Sequence, residues 1–214
     1  KRLVDSKKEI WVDVICDTGD GFNSTFSVAK KAAQKELTLQ SADGKGSPVT
    51  TQRGDVLVLG GDEVYPFPTL ETYTTKFKIP FDAAGDRNEK LIDADRPLLF
   101  AIPGNHDWYD GLGNFMKLFC QQRSIGIWKT AQKRSYFAIP LPHNYWIWAT
   151  DIQLNSNIDL PQLDYFSRIA REEMQADDKI ILVTAEPAWV YNEIRKNDQS
   201  FERLQYFISR NIQD

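Results

Sequence analysis

Only two cysteines occur in this 214-residue chain, Cys16 and Cys120. Each sits in an apolar context, one ending a strand pattern and the other within a helical pattern, so buried free thiols are expected rather than a disulfide. That points to a reducing, cytoplasmic setting. Basic charge is not in excess either: 26 Lys and Arg stand against 30 Asp and Glu, for a net charge of -4. With no basic stripe to follow a phosphate backbone, nucleic acid is not an expected partner. No apolar run approaches the roughly 20 residues that cross a bilayer, and no signal-peptide pattern opens the chain, so no membrane contact is expected of this segment. Repeats, low-complexity tracts and domain linkers are absent too. The length and 42% hydrophobic content suffice for one substantial core and not comfortably for two. A single domain over residues 1–214 is therefore expected, and the oligomeric state is left open.

What is present is a set of short apolar runs, each ending in polar residues. Ile10–Cys16, Val56–Leu59 and Leu98–Ile102 read as buried strands. They run into Asp17-Thr18-Gly19-Asp20-Gly21, Gly61-Asp62-Glu63-Val64-Tyr65 and Gly104-Asn105-His106-Asp107. A fourth apolar run, Lys179–Thr184, ends at Ala185-Glu186-Pro187. Between them the pattern predicts a helix from Asn23 or Ser24 to about Glu36, a surface loop over Gln40–Gln52, and a short helix over Thr69–Phe77. A charged loop is expected over Phe81–Arg96 and an amphipathic helix over Gly111–Gln121. Ser135–Ile139 and Tyr145–Asp151 suit a hairpin, and Pro161–Gln175 a helix begun by proline. Repeated strand-loop-helix units followed by adjacent strands indicate an α/β protein built on more than one sheet.

Strand-end loops are where α/β folds place their chemistry. Asp17 and Asp62 each stand at the exit of an apolar strand, where an unpaired carboxylate is costly unless solvent, hydrogen bonds or a cation offset it. Either one alone is an ordinary turn or cap residue. Together with Asn105, whose amide oxygen is a neutral hard ligand, they make a donor set for Mg, Mn, Fe or Zn. His106 can stabilise charge on a phosphoryl group or protonate a leaving alkoxide. Asp107 can orient its ring. His143 lies in a Pro-rich turn and reads as surface. Trp108, Tyr109 and Trp189 either wall the cleft or pack.

These blocks resemble the calcineurin-like metallophosphoesterase superfamily, whose dinuclear sites use strand-end motifs in this order. Asp17-Thr18-Gly19 in place of Asp-x-His, and the GDxxY form of Gly61–Tyr65, are similar to the purple acid phosphatases. By that resemblance Asp17 binds a first metal, Asp62 bridges two, Asn105 binds the second, Tyr65 is a candidate phenolate ligand or packs on Pro66 and Pro68, and His106 assists catalysis. The resemblance implies two packed β-sheets flanked by helices in four αββα layers. It also implies two divalent or mixed-valent ions and a phosphate ester or phosphoprotein substrate. The departures are as specific. Where the superfamily places a histidine, commonly in Thr-His-x-Pro, this chain has Thr184-Ala185-Glu186-Pro187. Glu186 either substitutes as a carboxylate ligand or is a surface residue. The later Gly-His-x-His motif is missing because no histidine follows position 143, so a C-terminally truncated domain with an incomplete second sheet is expected. The implied activity is phosphoester hydrolysis by metal-activated water. A non-catalytic binding or scaffolding module is the alternative, and a nuclease or cyclic-nucleotide phosphodiesterase is a third.

Overall fold

The computed structural model describes residues 9–86, 88–152, 158–195 and 199–212. From the N-terminal side, β1 (Val12–Ile15), α1 (Phe22–Ala32), β2 (Glu36–Leu39), β3 (Val49–Gln52) and β4 (Val56–Leu59) follow one another. A helical stretch then comprises α2 (Leu70–Thr72), a π-helical segment Tyr73–Lys78 and α3 (Ile79–Ala84). β5 (Leu98–Ala101), α4 (Gly113–Phe119), β6 (Ser124–Ile125) and β7 (Trp128–Thr130) complete the first half. The second contains β8 (Phe137–Leu141), β9 (Tyr145–Thr150), α5 (Leu160–Glu172), β10 (Lys179–Thr184), α6 (Ala188–Ile194) and α7 (Gln199–Asn211).

The strands form a five-stranded sheet of order β1-β4-β5-β7-β6, a three-stranded sheet of order β10-β9-β8, and a separate β2-β3 hairpin. Side chains alternate across a strand, and here the alternation divides the interior into three layers. Leu57, Leu59, Leu99 and Ala101 pack against Ala29, Tyr73, Phe77, Phe81, Phe115 and Phe119 from the helices over the first sheet. Val56, Val58, Phe100 and Ile102 face Phe137, Ile139, Ile147 and Ala149 across the gap between sheets. Trp146 and Trp148 turn outward to Phe166, Ile169 and Phe207 of α5 and α7. The result is four layers, helix, sheet, sheet, helix. In α5 the apolar residues Leu163, Phe166 and Ile169 recur every three positions and form the inward face. Asp159 caps its first turn by accepting from Gln162 N at 3.0 Å.

Parallel pairing positions the loops. Ile15 is in register with Leu59, and Leu59 with Ala101, so the three exits lie side by side at one end of the sheet. On the far edge the layer between the sheets is open. Val14 is in register with Val58, and Ile181 with Ile147, so both point into that layer. They are nevertheless 61% and 47% exposed, because β1 and β10 each end their sheet.

Several expectations need correction. The stretch expected as a loop over Gln40–Gln52 contains β3, which pairs with β2 through Thr38 and Thr50. The charged loop expected from Phe81 begins only after α3, whose Phe81 is fully buried and stacks on Phe77 at 4.4 Å. Long-range aromatic packing extends the helix past the point where local polarity suggests a stop. Gly21 stands at the N-cap of α1 without a side-chain hydrogen bond, in place of the expected Asn23 or Ser24. Both cysteines are free, but Cys16 is exposed, since β1 is an edge strand. Among the described residues no helix is long and apolar enough to cross a membrane.

Candidate active site

Three exits from adjacent parallel strands build one wall of a cavity of about 50 Å³. It is lined by Asp17, Asp62 and Asn105, by Gly60, Gly61 and Gly104 between them, and by Ile152, Ala185 and Glu186 from the second sheet. The backbone reaches this shape by unusual turns. Asp17 and Asp62 both take left-handed conformations, with φ of 55° and 54°. Only short polar side chains and glycine visit that region readily. Glycine is obligatory at two further points: a Cβ at Gly19 would lie 2.0 Å from the Glu63 carbonyl oxygen, and one at Gly104 would lie 2.1 Å from Asp62 Oδ1. Thr25 of α1 steadies the first loop by accepting from Gly19 N at 3.0 Å.

The Tyr65 hydroxyl donates to Asp17 Oδ1 at 2.6 Å and stands 3.1 Å from Asp62 Oδ2. One proton cannot serve both carboxylates at once. Burial, reinforced by Asp17 and Asp62, pushes this phenol well above its usual range, so Tyr65 is a neutral donor as it stands. Asp62 Oδ1 accepts from His106 N at 2.9 Å. The His106 ring is fixed through Nδ1, 2.9 Å from the Pro66 carbonyl oxygen, and it packs on Tyr65 with ring centres 4.4 Å apart. A carbonyl can only accept, so Nδ1 carries the hydrogen and Nε2 is left for chemistry. Asn105 donates its amide nitrogen to the Tyr109 hydroxyl at 3.1 Å, which leaves the amide oxygen to the cavity.

The structure thus brings Asp17, Asp62, Asn105 and Glu186 around one cavity, with Tyr65 and His106 beside them. Glu186 is buried there rather than at the surface. His143 is exposed in the β8–β9 turn, at φ 62°. Asp107 does not orient His106. It is fully buried behind the loop, accepting from Tyr73 at 2.5 Å, Gly104 N at 2.9 Å and Glu63 N at 3.3 Å. Its geometry follows from the turn: Asn105 lines the cavity and His106 turns to Pro66, and the next side chain points into the core. Burial, with Asp107 alongside, pushes the Glu63 carboxyl up. The role of Glu63 is invisible in sequence because Asp107 lies 44 positions away. Tyr73, in the π-helical segment, was likewise unmarked. Trp108 is half-buried and Trp189 packs on Phe201 with ring centres 6.4 Å apart, so neither walls the cavity.

These donors suit a hard divalent cation: carboxylate and amide oxygens surround a small space, and two carboxylates compete for a single hydroxyl proton. Among the described residues no three His, Cys, Asp or Glu side chains gather as a metal cluster by themselves. The set therefore depends on Asn105 and the Tyr65 oxygen. A family model described as calcineurin-like phosphoesterase matches residues 10–208. No curated protein matches the chain.

Proposed function

Because the chain belongs to the calcineurin-like phosphoesterase family, we propose that it hydrolyses phosphate esters at the Asp17–Asp62–Asn105 cavity. Members of this family are in general metal-dependent hydrolases of phosphoester bonds. The observation that carries the reading is the pair Asp17 and Asp62 beneath one tyrosine hydroxyl, a concentration of negative charge that a cation offsets. Asp17, Asp62 and Asn105 would hold the ion, with Tyr65 and Glu186 as further oxygen donors. When bound, a divalent ion supplies Lewis acidity, making water a better nucleophile and drawing charge from the phosphoryl oxygens.

The chain's own groups do the rest. Water oxygen forms the new bond to phosphorus while the ester bond breaks, its electron pair passing to the leaving oxygen. Protonated His106 gives the Nε2 hydrogen to that oxygen, and the proton released by the water returns the imidazole to its starting state through solvent. Nδ1 stays bonded to Pro66 throughout, so the ring does not turn away. Asp62, through Oδ1, anchors the backbone of the same histidine and couples the cation's position to the acid's.

Replacing Asp62 with Asn tests this. Titration calorimetry with Mn²⁺ and hydrolysis of 4-nitrophenyl phosphate should both fall at least a hundredfold in Asp62→Asn. Turnover that survives unchanged ends the assignment. A second reading, a binding module without catalysis, is favoured by Ala185, which lines the cavity with a methyl group that cannot ligate. Protein purified without chelator and free of metal by elemental analysis would support it.

A further inference from the structure

A run of aromatic rings leads away from the cavity. From Tyr65 the rings continue to His106 (4.4 Å between centres), to Tyr109 (4.9 Å) and to Phe67 (5.8 Å). The first two belong to the site already described. The last two lie outside the cavity lining, and they are 53% and 60% exposed. Phe67 is flanked by Pro66 and Pro68, and the Pro66 carbonyl holds the His106 ring. Tyr109 is tethered by its hydroxyl to Asn105. Two large aromatic faces are therefore held open to solvent by residues that also shape the phosphoryl site, tilted 54° to one another as a shallow V.

We propose that Phe67 and Tyr109 form a platform for the leaving group, and that the preferred substrates are phosphate monoesters of phenols. This rests on the phosphoesterase reading above. Its logic is positional. The leaving oxygen must come within hydrogen-bond reach of His106 Nε2, and whatever is attached to that oxygen extends beyond the imidazole. Besides Tyr65, the ring beside that imidazole is Tyr109, with centres 4.9 Å apart, and Phe67 lies 5.8 Å from Tyr109. An aromatic ring bonded directly to the ester oxygen meets those faces in offset or tilted contact. An alkyl chain gains only area there, and a nucleobase is separated from the oxygen by its sugar and overshoots.

Calorimetry with non-hydrolysable probes separates the possibilities, using the Mn²⁺-loaded protein. Phenylphosphonate should bind about three- to tenfold more tightly than methylphosphonate, and the preference should vanish in Phe67→Ala, whose exposed position leaves folding intact. Phenyl phosphate should show a KM below that of butyl phosphate by a similar factor, and that difference should be lost in Phe67→Ala. Equal affinity for the two phosphonates, or a preference that persists in Phe67→Ala, overturns the platform while leaving the hydrolase reading in place. Tighter binding of adenosine monophosphate than of ribose 5-phosphate, without the phenyl preference, overturns the phenolic assignment in favour of a nucleobase. If neither phosphonate binds, the phosphoesterase reading itself fails and the platform falls with it.

Discussion

The Trp108 indole N–H donates to Asp151 Oδ1 at 2.9 Å, tying the loop that carries His106 to the end of β9 in the second sheet. Ser135 donates to the other oxygen of the same carboxyl, and Gln162 of α5 brackets its backbone with two bonds of 2.9 Å. Asp151 is thus a clasp between the two sheets, close to the cavity without lining it.

Burial pushes this carboxyl up to about 6, against the lowering effect of Ser135 and Trp108 and with a smaller push from Asp159. An acid whose folded value lies above its unfolded value favours the fold while protonated. The stabilisation is fully present below about pH 4 and is lost as pH rises through about 6, a decline of roughly 3 kcal/mol. Chemical denaturation from pH 4 to 7.5 should show it, and Asp151→Asn should flatten the curve by that contribution. Parallel curves for the two proteins would refute the assignment.

The left-handed backbone at Asp17 gives a second test. Asp17→Gly and Asp17→Ala both remove the carboxylate, but only alanine places a Cβ in a region that costs about 1 kcal/mol. Thermal denaturation should therefore rank the glycine variant above the alanine variant by roughly 2–4 °C. Equal melting temperatures would mean the turn relaxes without the aspartate.

Gly104 is the tightest point between the second and third loops. Its Cβ would lie 2.1 Å from Asp62 Oδ1 and 2.5 Å from Asp62 N. Backbone cannot step aside as a flexible side chain can, so Gly104→Ala should cost about 1–3 kcal/mol and weaken Mn²⁺ binding with it. Gly113→Ala, whose Cβ would meet nothing nearer than 3.6 Å, serves as the control and should be close to neutral. Matching stability and metal affinity in the two variants would show that the loops are not packed this closely.

Much of this was legible in the chain itself. The strands at Val56–Leu59 and Lys179–Thr184 stand where the sequence puts them, because each carries four consecutive apolar residues that have few other places to go. The strand-exit positions of Asp17, Asp62 and Asn105 were legible for the same reason: each follows directly on such a run. The π-helical segment and Phe81 were not, since their helix is held by contacts with distant rings rather than by local propensity. Nor were Glu63, Tyr73 and Asp151, whose partners lie 11 to 44 positions away and are met only when the layers close. Sequence alone placed Asp17, Asp62 and Asn105 at the exits of apolar runs, because strand and loop are local. Tertiary structure decided that Asp107 turns into the core while its neighbour His106 stays beside the site, since the closing turn aims the two side chains differently. It also decided that Tyr109 and Phe67 face solvent beside the site, because exposure depends on what the rest of the fold leaves uncovered.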